Sequence, residues 1–164
     1  IHERAPVSAH RHMVAASDPL AAEAGLAILR KGGNAIDAAI ASAMMLTLTE
    51  PESSGLGGSG FLVYFDKQSG HLFTYDGREA APAADTENMF LGADGKPIPF
   101  LKAAVGGKPV GVPGLLRVLE FAHKAHGKLP WAELFAPAIA ESICEQILGR
   151  APVIPAFDPR RFAA

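Results

Sequence analysis

The sequence predicts an α+β fold, and three observations carry that expectation. Two helix-forming segments with clear start and stop signals come first. A pair of apolar, strand-length runs separated by a polar turn follows. Helical patterning then returns after Gly114. Helix and sheet are thus segregated along the chain rather than alternating, which is the α+β pattern.

The first helix is predicted from Leu20 to Lys31. Ser17-Asp18-Pro19 supplies a capping side chain and a proline whose fixed φ suits the first helical turn. Arg30 and Lys31 place positive charge in the last turn, and Gly32-Gly33 ends the helix. The second helix is predicted from Asn34 to about Thr47. Its run AIDAAIASAMMLTL is apolar almost all the way round, so it belongs between other layers. Asp37 falls in its first turn and reads as a cap for free backbone N–H groups. Glu50-Pro51 stops the helix.

Phe61-Leu62-Val63-Tyr64-Phe65 and His71-Leu72-Phe73-Thr74-Tyr75-Asp76 read as an antiparallel hairpin around the turn Asp66–Gly70. From Ala80 to Gly111, prolines and glycines break every period. Short strands or helical turns are expected there, because a compact domain rarely holds so long a structureless run. A helix from Leu115 to about His126 should place Leu115, Leu116, Leu119 and Ala122 on one face. Arg117, Glu120, His123 and Lys124 should be more exposed. A last helix is predicted from Leu129 to about Ile147, kinked or split at Pro137. The proline-containing stretch 151–164 has no period.

Composition excludes several classes. The 164 residues carry a formal charge of −2 and are 20% charged, so nucleic acid and anionic membrane are not expected partners. No run of about 20 apolar residues predicts a membrane span. The chain opens Ile1-His2-Glu3-Arg4, which reads as a mature end from which a leader has gone. Cys144, a lone cysteine in an apolar stretch, reads as a small buried hydrophobe. The six histidines, among them His10 and His12, show no metal spacing, and no metal or cofactor is expected.

Two motifs bear on function. Gly55-x-Gly57-x-x-Gly60 has dinucleotide-binding spacing, but it follows a helix and opens a strand, the reverse of that fingerprint. It reads instead as a loop needing positive φ and close backbone approach, able to offer N–H groups to an anion. Arg78, just past the second predicted strand, is either a solvated turn charge or a forked donor for a carboxylate. Glu79 beside it could orient the guanidinium or bind an ammonium.

Six ordered segments resemble the γ-glutamyltranspeptidase family. They are His12-Met13-Val14-Ala15-Ala16-Ser17; Gly25 through Ala41, with Gly32-Gly33-Asn34-Ala35-Ile36-Asp37-Ala38-Ala39 at its centre; Glu50-Pro51 through Gly60-Phe61; Asp76-Gly77-Arg78-Glu79-Ala80-Ala81-Pro82; Val112-Pro113-Gly114; and Leu134 with Ala136-Pro137-Ala138-Ile139. The resemblance covers roughly residues 12 to 140.

It implies an N-terminal nucleophile hydrolase fold, a four-layer αββα sandwich of which residues 1–164 form a partial large-subunit segment. It further implies a self-cleaving precursor that moves the γ-glutamyl group of glutathione-like compounds to water, an amino acid or a peptide. The nucleophilic threonine is expected on a small subunit from the same precursor, so no catalytic residue is expected in this chain and the chain alone should be inactive. Arg78 is expected to bind the glutamyl α-carboxylate, worth about 2–5 kcal/mol in a closed pocket, with Glu79 in support. The compartment implied is periplasmic or extracellular. Two alternatives stand beside this reading: a cephalosporin (glutaryl) acylase of the same superfamily, and a non-catalytic binding or remnant domain.

Overall fold

A computed structural model describes residues 6–140. The chain divides into two compact units, one formed by the segments up to Gly55 and from Leu119 onward, the other by Leu56–Val118.

The first unit is built on an antiparallel helix pair, α1 (Pro19–Arg30) and α2 (Ala35–Thr49). Asp18 caps α1 by accepting from the amides of Leu20 and Ala21 at 2.8 and 3.4 Å. Pro19 occupies the first turn, and Gly32 closes the helix at φ +94°, a conformation that side chains resist. The helices pack closely because small residues face each other. A Cβ on Gly25 would collide with the Ser42 hydroxyl, which itself donates to the Ala21 carbonyl at 2.8 Å. Along α2 only Ala35 and Ala39 are exposed, as expected for a helix without a polar face.

Asp37 is fully buried and does more than cap. With Asn34 it forms a reciprocal capping box: each side chain accepts from the other's amide, at 3.0 and 3.1 Å. The same carboxylate accepts from the amides of Lys128 and Leu129 at 3.1–3.2 Å, so it fastens that distant stretch to the start of α2.

The helix expected after Gly114 forms as α4 (Leu115–His126), with the predicted bounds but a shifted face. Val118, Leu119 and Ala122 are buried, while Leu116 is 40% exposed. Leu115, Val118, Leu119 and Ala122 follow the i, i+3, i+4, i+7 spacing, which leaves Leu116 off the stripe. His123 is not the exposed residue expected. Its Nε2 is 2.8 Å from the Leu129 carbonyl and 3.7 Å from Asp37, and its ring packs against Trp131 with centroids 5.2 Å apart. The last predicted helix is split: Trp131–Phe135 is a 3₁₀ turn, and residues 136–140 continue as α-helix. Pro137 thus sits in a first turn, where its missing N–H costs nothing. Cys144, the end of this last helix and the 151–164 stretch lie outside the described residues.

The second unit contains the hairpin of β1 (Gly60–Asp66) and β2 (His71–Gly77), paired from Gly60↔Gly77 to Asp66↔His71. Asp66 holds the turn by accepting from Gln68 and Ser69, and Gly70 completes it at φ +72°. The two faces are unequal. Leu62, Tyr64, Phe73 and Tyr75 are half-buried, whereas Phe61, Val63, Phe65 and Leu72 are exposed on the opposite face. The 80–111 stretch holds the short elements expected of it: bridges Ala80↔Val112 and Leu91↔Pro97, and a one-turn helix α3 (Phe100–Ala104).

Candidate functional site

The glycine loop, the end of β2 and the segment before α4 converge within the second unit. The Gly58 carbonyl accepts from the amides of Gly114 and Leu115 at 3.2 Å, tying the loop to the first turn of α4. Gly77 ends β2 where a Cβ would lie 2.6 Å from Val118 and 2.9 Å from the Gly60 carbonyl. Arg78 and Glu79 leave the sheet immediately after this tight packing. The Asp76 carboxylate accepts from the Arg78 amide at 2.8 Å, which fixes the exit. Ala80 then pairs with Val112, and a Cβ on Gly111 would lie 2.7 Å from that of Glu79.

These segments line an open cleft of about 500 Å³ whose charged side chains are Arg78, Glu79, Asp85 and Lys108. Arg78 Nε is 3.4 Å from Glu79 Oε2. The Glu79 carboxylate is held below the ordinary glutamate range, first by its own backbone N–H, then by the Ser59 hydroxyl and by Arg78, against the opposing effect of partial burial. Glu79 takes the Nε side of Arg78, and the two terminal nitrogens of the guanidinium keep the forked geometry that matches a carboxylate.

One expectation is corrected here. The glycine loop does not use positive φ: among the described residues that conformation occurs at Gly32, Gly70, Gly95 and Gly106, none of them in the loop. What the loop needs is room, since a Cβ on Gly60 would lie 2.9 Å from Leu115. Among the described residues the Arg78 side chain is 70% exposed.

Arg78 and Glu79 are brought together as expected, and the loop joins them through Gly57 and Ser59. His10 and His12 lie elsewhere, lining a cleft of about 460 Å³ with Arg11 and Arg30. No three His, Cys, Asp or Glu side chains gather as a metal site would require among the described residues. Sequence reasoning missed Ser59 and Lys108. The one signal for Ser59 was a hydroxyl amid glycines just before a strand, and for Lys108 a lysine in a Gly-Gly-Lys-Pro turn.

The γ-glutamyltranspeptidase family model matches residues 21–143. The chain belongs to the γ-glutamyltranspeptidase family. It is 46% identical over 127 residues to the glutathione hydrolase proenzyme of Bacillus subtilis strain 168, an alignment covering 77% of this chain and 22% of that protein. Among solved structures it resembles the γ-glutamyltranspeptidase of Pseudomonas nitroreducens complexed with L-DON. The TM-score is 0.76 and the identity 42%, over 82% of this chain and 39% of that one. It also resembles the cephalosporin acylase of Bacillus halodurans, with TM-score 0.64 and 37% identity over 85% of this chain and 26% of that one. The chain therefore spans about a fifth of the length of the curated relative. The α+β fold of N-terminal nucleophile hydrolase type expected from the family is the fold it shares with these structures. No helix among the described residues is long and apolar enough to cross a membrane.

Proposed function

We propose that the protein carrying this chain transfers or hydrolyses γ-glutamyl groups of glutathione-like compounds, with Arg78 binding the α-carboxylate of the glutamyl donor. One observation carries the reading: in the family's Arg-Glu motif, Glu79 stands 3.4 Å from the Nε of Arg78, whose forked end reaches an open cleft. Glu79 is the positioning partner of that arginine. The cleft offers a place to bind and orient the donor; the bond-breaking nucleophile belongs to a threonine that begins a small subunit cut from the same precursor. The naming of the Bacillus relative as a proenzyme supports that assembly. Residues 1–164 are part of one N-terminal nucleophile hydrolase domain completed by that subunit. The compartment is periplasmic or extracellular.

The test is turnover of a γ-glutamyl anilide by the full-length protein and its Arg78→Lys variant. A lysine keeps the charge but loses the fork, so KM for the donor should rise at least about tenfold. Unchanged kinetics would remove Arg78 from the site. A full-length protein that cleaves a glutaryl amide in preference to the γ-glutamyl one would favour the acylase reading, which the Bacillus halodurans likeness keeps in view. A folded protein with no turnover of either would return the chain to a binding role.

A further inference from the structure

Lys108 lines the same cleft as Arg78 and Glu79, and no part of the function proposed above uses it. The antiparallel bridge puts it there. Val112 donates to the Ala80 carbonyl at 2.8 Å and Ala80 donates back at 3.4 Å, so chain preceding Val112 runs along the segment following Ala80. Arg78 and Lys108 consequently lie on opposite sides of that bridge while both reach the cleft. The Lys108 ammonium is steadied by one long hydrogen bond, 3.5 Å to the carbonyl of Met89, which also lines the cleft. An ammonium has three donors, so two remain for a ligand. Asp85 is the acidic neighbour on the cleft wall, and its carboxylate is engaged by the Thr86 amide at 2.8 Å.

Resting on the γ-glutamyl reading of this site, we infer that Lys108 is a specificity-determining residue that binds the free carboxylate at the far end of the donor's leaving group. A cleft with a forked cation at one station and a point-charge cation at another suits a ligand carrying two separated carboxylates. The γ-linkage runs through the glutamyl side chain, which leaves the α-carboxylate and the terminal carboxylate at opposite ends of such a donor, and the flexible lysine stem can adjust to their separation. The substrate class is therefore γ-glutamyl peptides with an unblocked C-terminus, in preference to γ-glutamyl amides or anilides.

The experiment compares three donors on the full-length protein: glutathione, glutathione esterified at its glycine carboxylate, and γ-glutamyl-p-nitroanilide. Wild type should prefer glutathione to its ester by about tenfold in KM. Lys108→Gln should erase that preference while leaving the anilide within about twofold, and Lys108→Arg should restore it. The anilide serves as the folding control. The inference is overturned if Lys108→Gln slows all three donors equally, or if glutathione and its ester stay unequal. It is also overturned if only the KM of an amino-acid acceptor changes, which would assign Lys108 to the acceptor. Absence of all turnover in wild type would remove the γ-glutamyl reading itself, and this inference with it.

Discussion

Glu79 Oε2 stands 3.4 Å from Arg78 Nε, so two residues adjacent in sequence also face each other as side chains at the mouth of a cleft. Neighbours at the end of a strand ordinarily point to opposite sides. Here the Asp76 carboxylate takes the Arg78 amide and turns the chain out of the sheet.

Removing the charge on Glu79 should loosen Arg78 rather than unfold the protein. Glu79→Gln in the full-length protein is expected to raise donor KM several-fold with little change in thermal stability, since both side chains are partly exposed. Ser59→Ala should reproduce part of that effect, and Ser59→Thr should restore it. Steady-state kinetics alongside a melting curve separates the two readouts.

The pH dependence follows from the same carboxylate. Its pKa is lowered in the folded protein, so its contribution is present above the ordinary glutamate value and lost only as pH falls through the lower, folded one. Donor KM should therefore stay flat through the ordinary glutamate value of 4.5 and rise only at lower pH, where the folded carboxylate takes up its proton. In Glu79→Gln this acid limb should vanish. A limb near pH 6 that persists in the variant would assign the titration to another group.

Asp37 should be the most costly single carboxylate to lose in the first unit. Asp37→Ala leaves the part-buried amides of Lys128 and Leu129 without their acceptor and dissolves the capping box, at a cost of about 2 kcal/mol or more in urea unfolding. Asp37→Asn keeps an acceptor and should cost less. A loss under about 1 kcal/mol for the alanine variant would show that water replaces the carboxylate.

Two glycines near the cleft should respond oppositely. Gly77→Ala forces a methyl group against Val118 and the Gly60 carbonyl, where backbone cannot yield, and should cost about 1–3 kcal/mol while displacing Arg78. At Gly57 a Cβ meets nothing within 4 Å, and alanine there should leave stability within about 0.5 kcal/mol. Thermal melts of both variants check the contrast.

The helices and the hairpin were legible because their signals are local. Asp18-Pro19, Gly32-Gly33 and Glu50-Pro51 act on neighbouring backbone, and Asp66 with Gly70 makes the turn from within five residues. Arg78 and Glu79 were singled out through the family motif; their physical chemistry alone favoured a solvated turn charge. What escaped was long-range. Nothing near Asp37 announces that its second pair of partners lies 91 and 92 residues away, nor that His123 turns towards it. The placing of Leu116 on the core face failed because a one-residue rotation of an amphipathic stripe changes few counts in sequence. The loop glycines were misread because steric room and positive φ select the same residue.

The hairpin's bare side has a practical consequence at the bench. Phe61, Val63, Phe65 and Leu72 form a row of wet apolar side chains on a sheet that is two strands wide among the described residues, an arrangement that tends to self-associate. Residues 1–164 expressed by themselves should therefore pellet or form soluble clumps, and should bind apolar dyes strongly. A carrier fused through a cleavable linker should keep this segment dispersed for unfolding measurements, while the turnover assays call for the full-length protein.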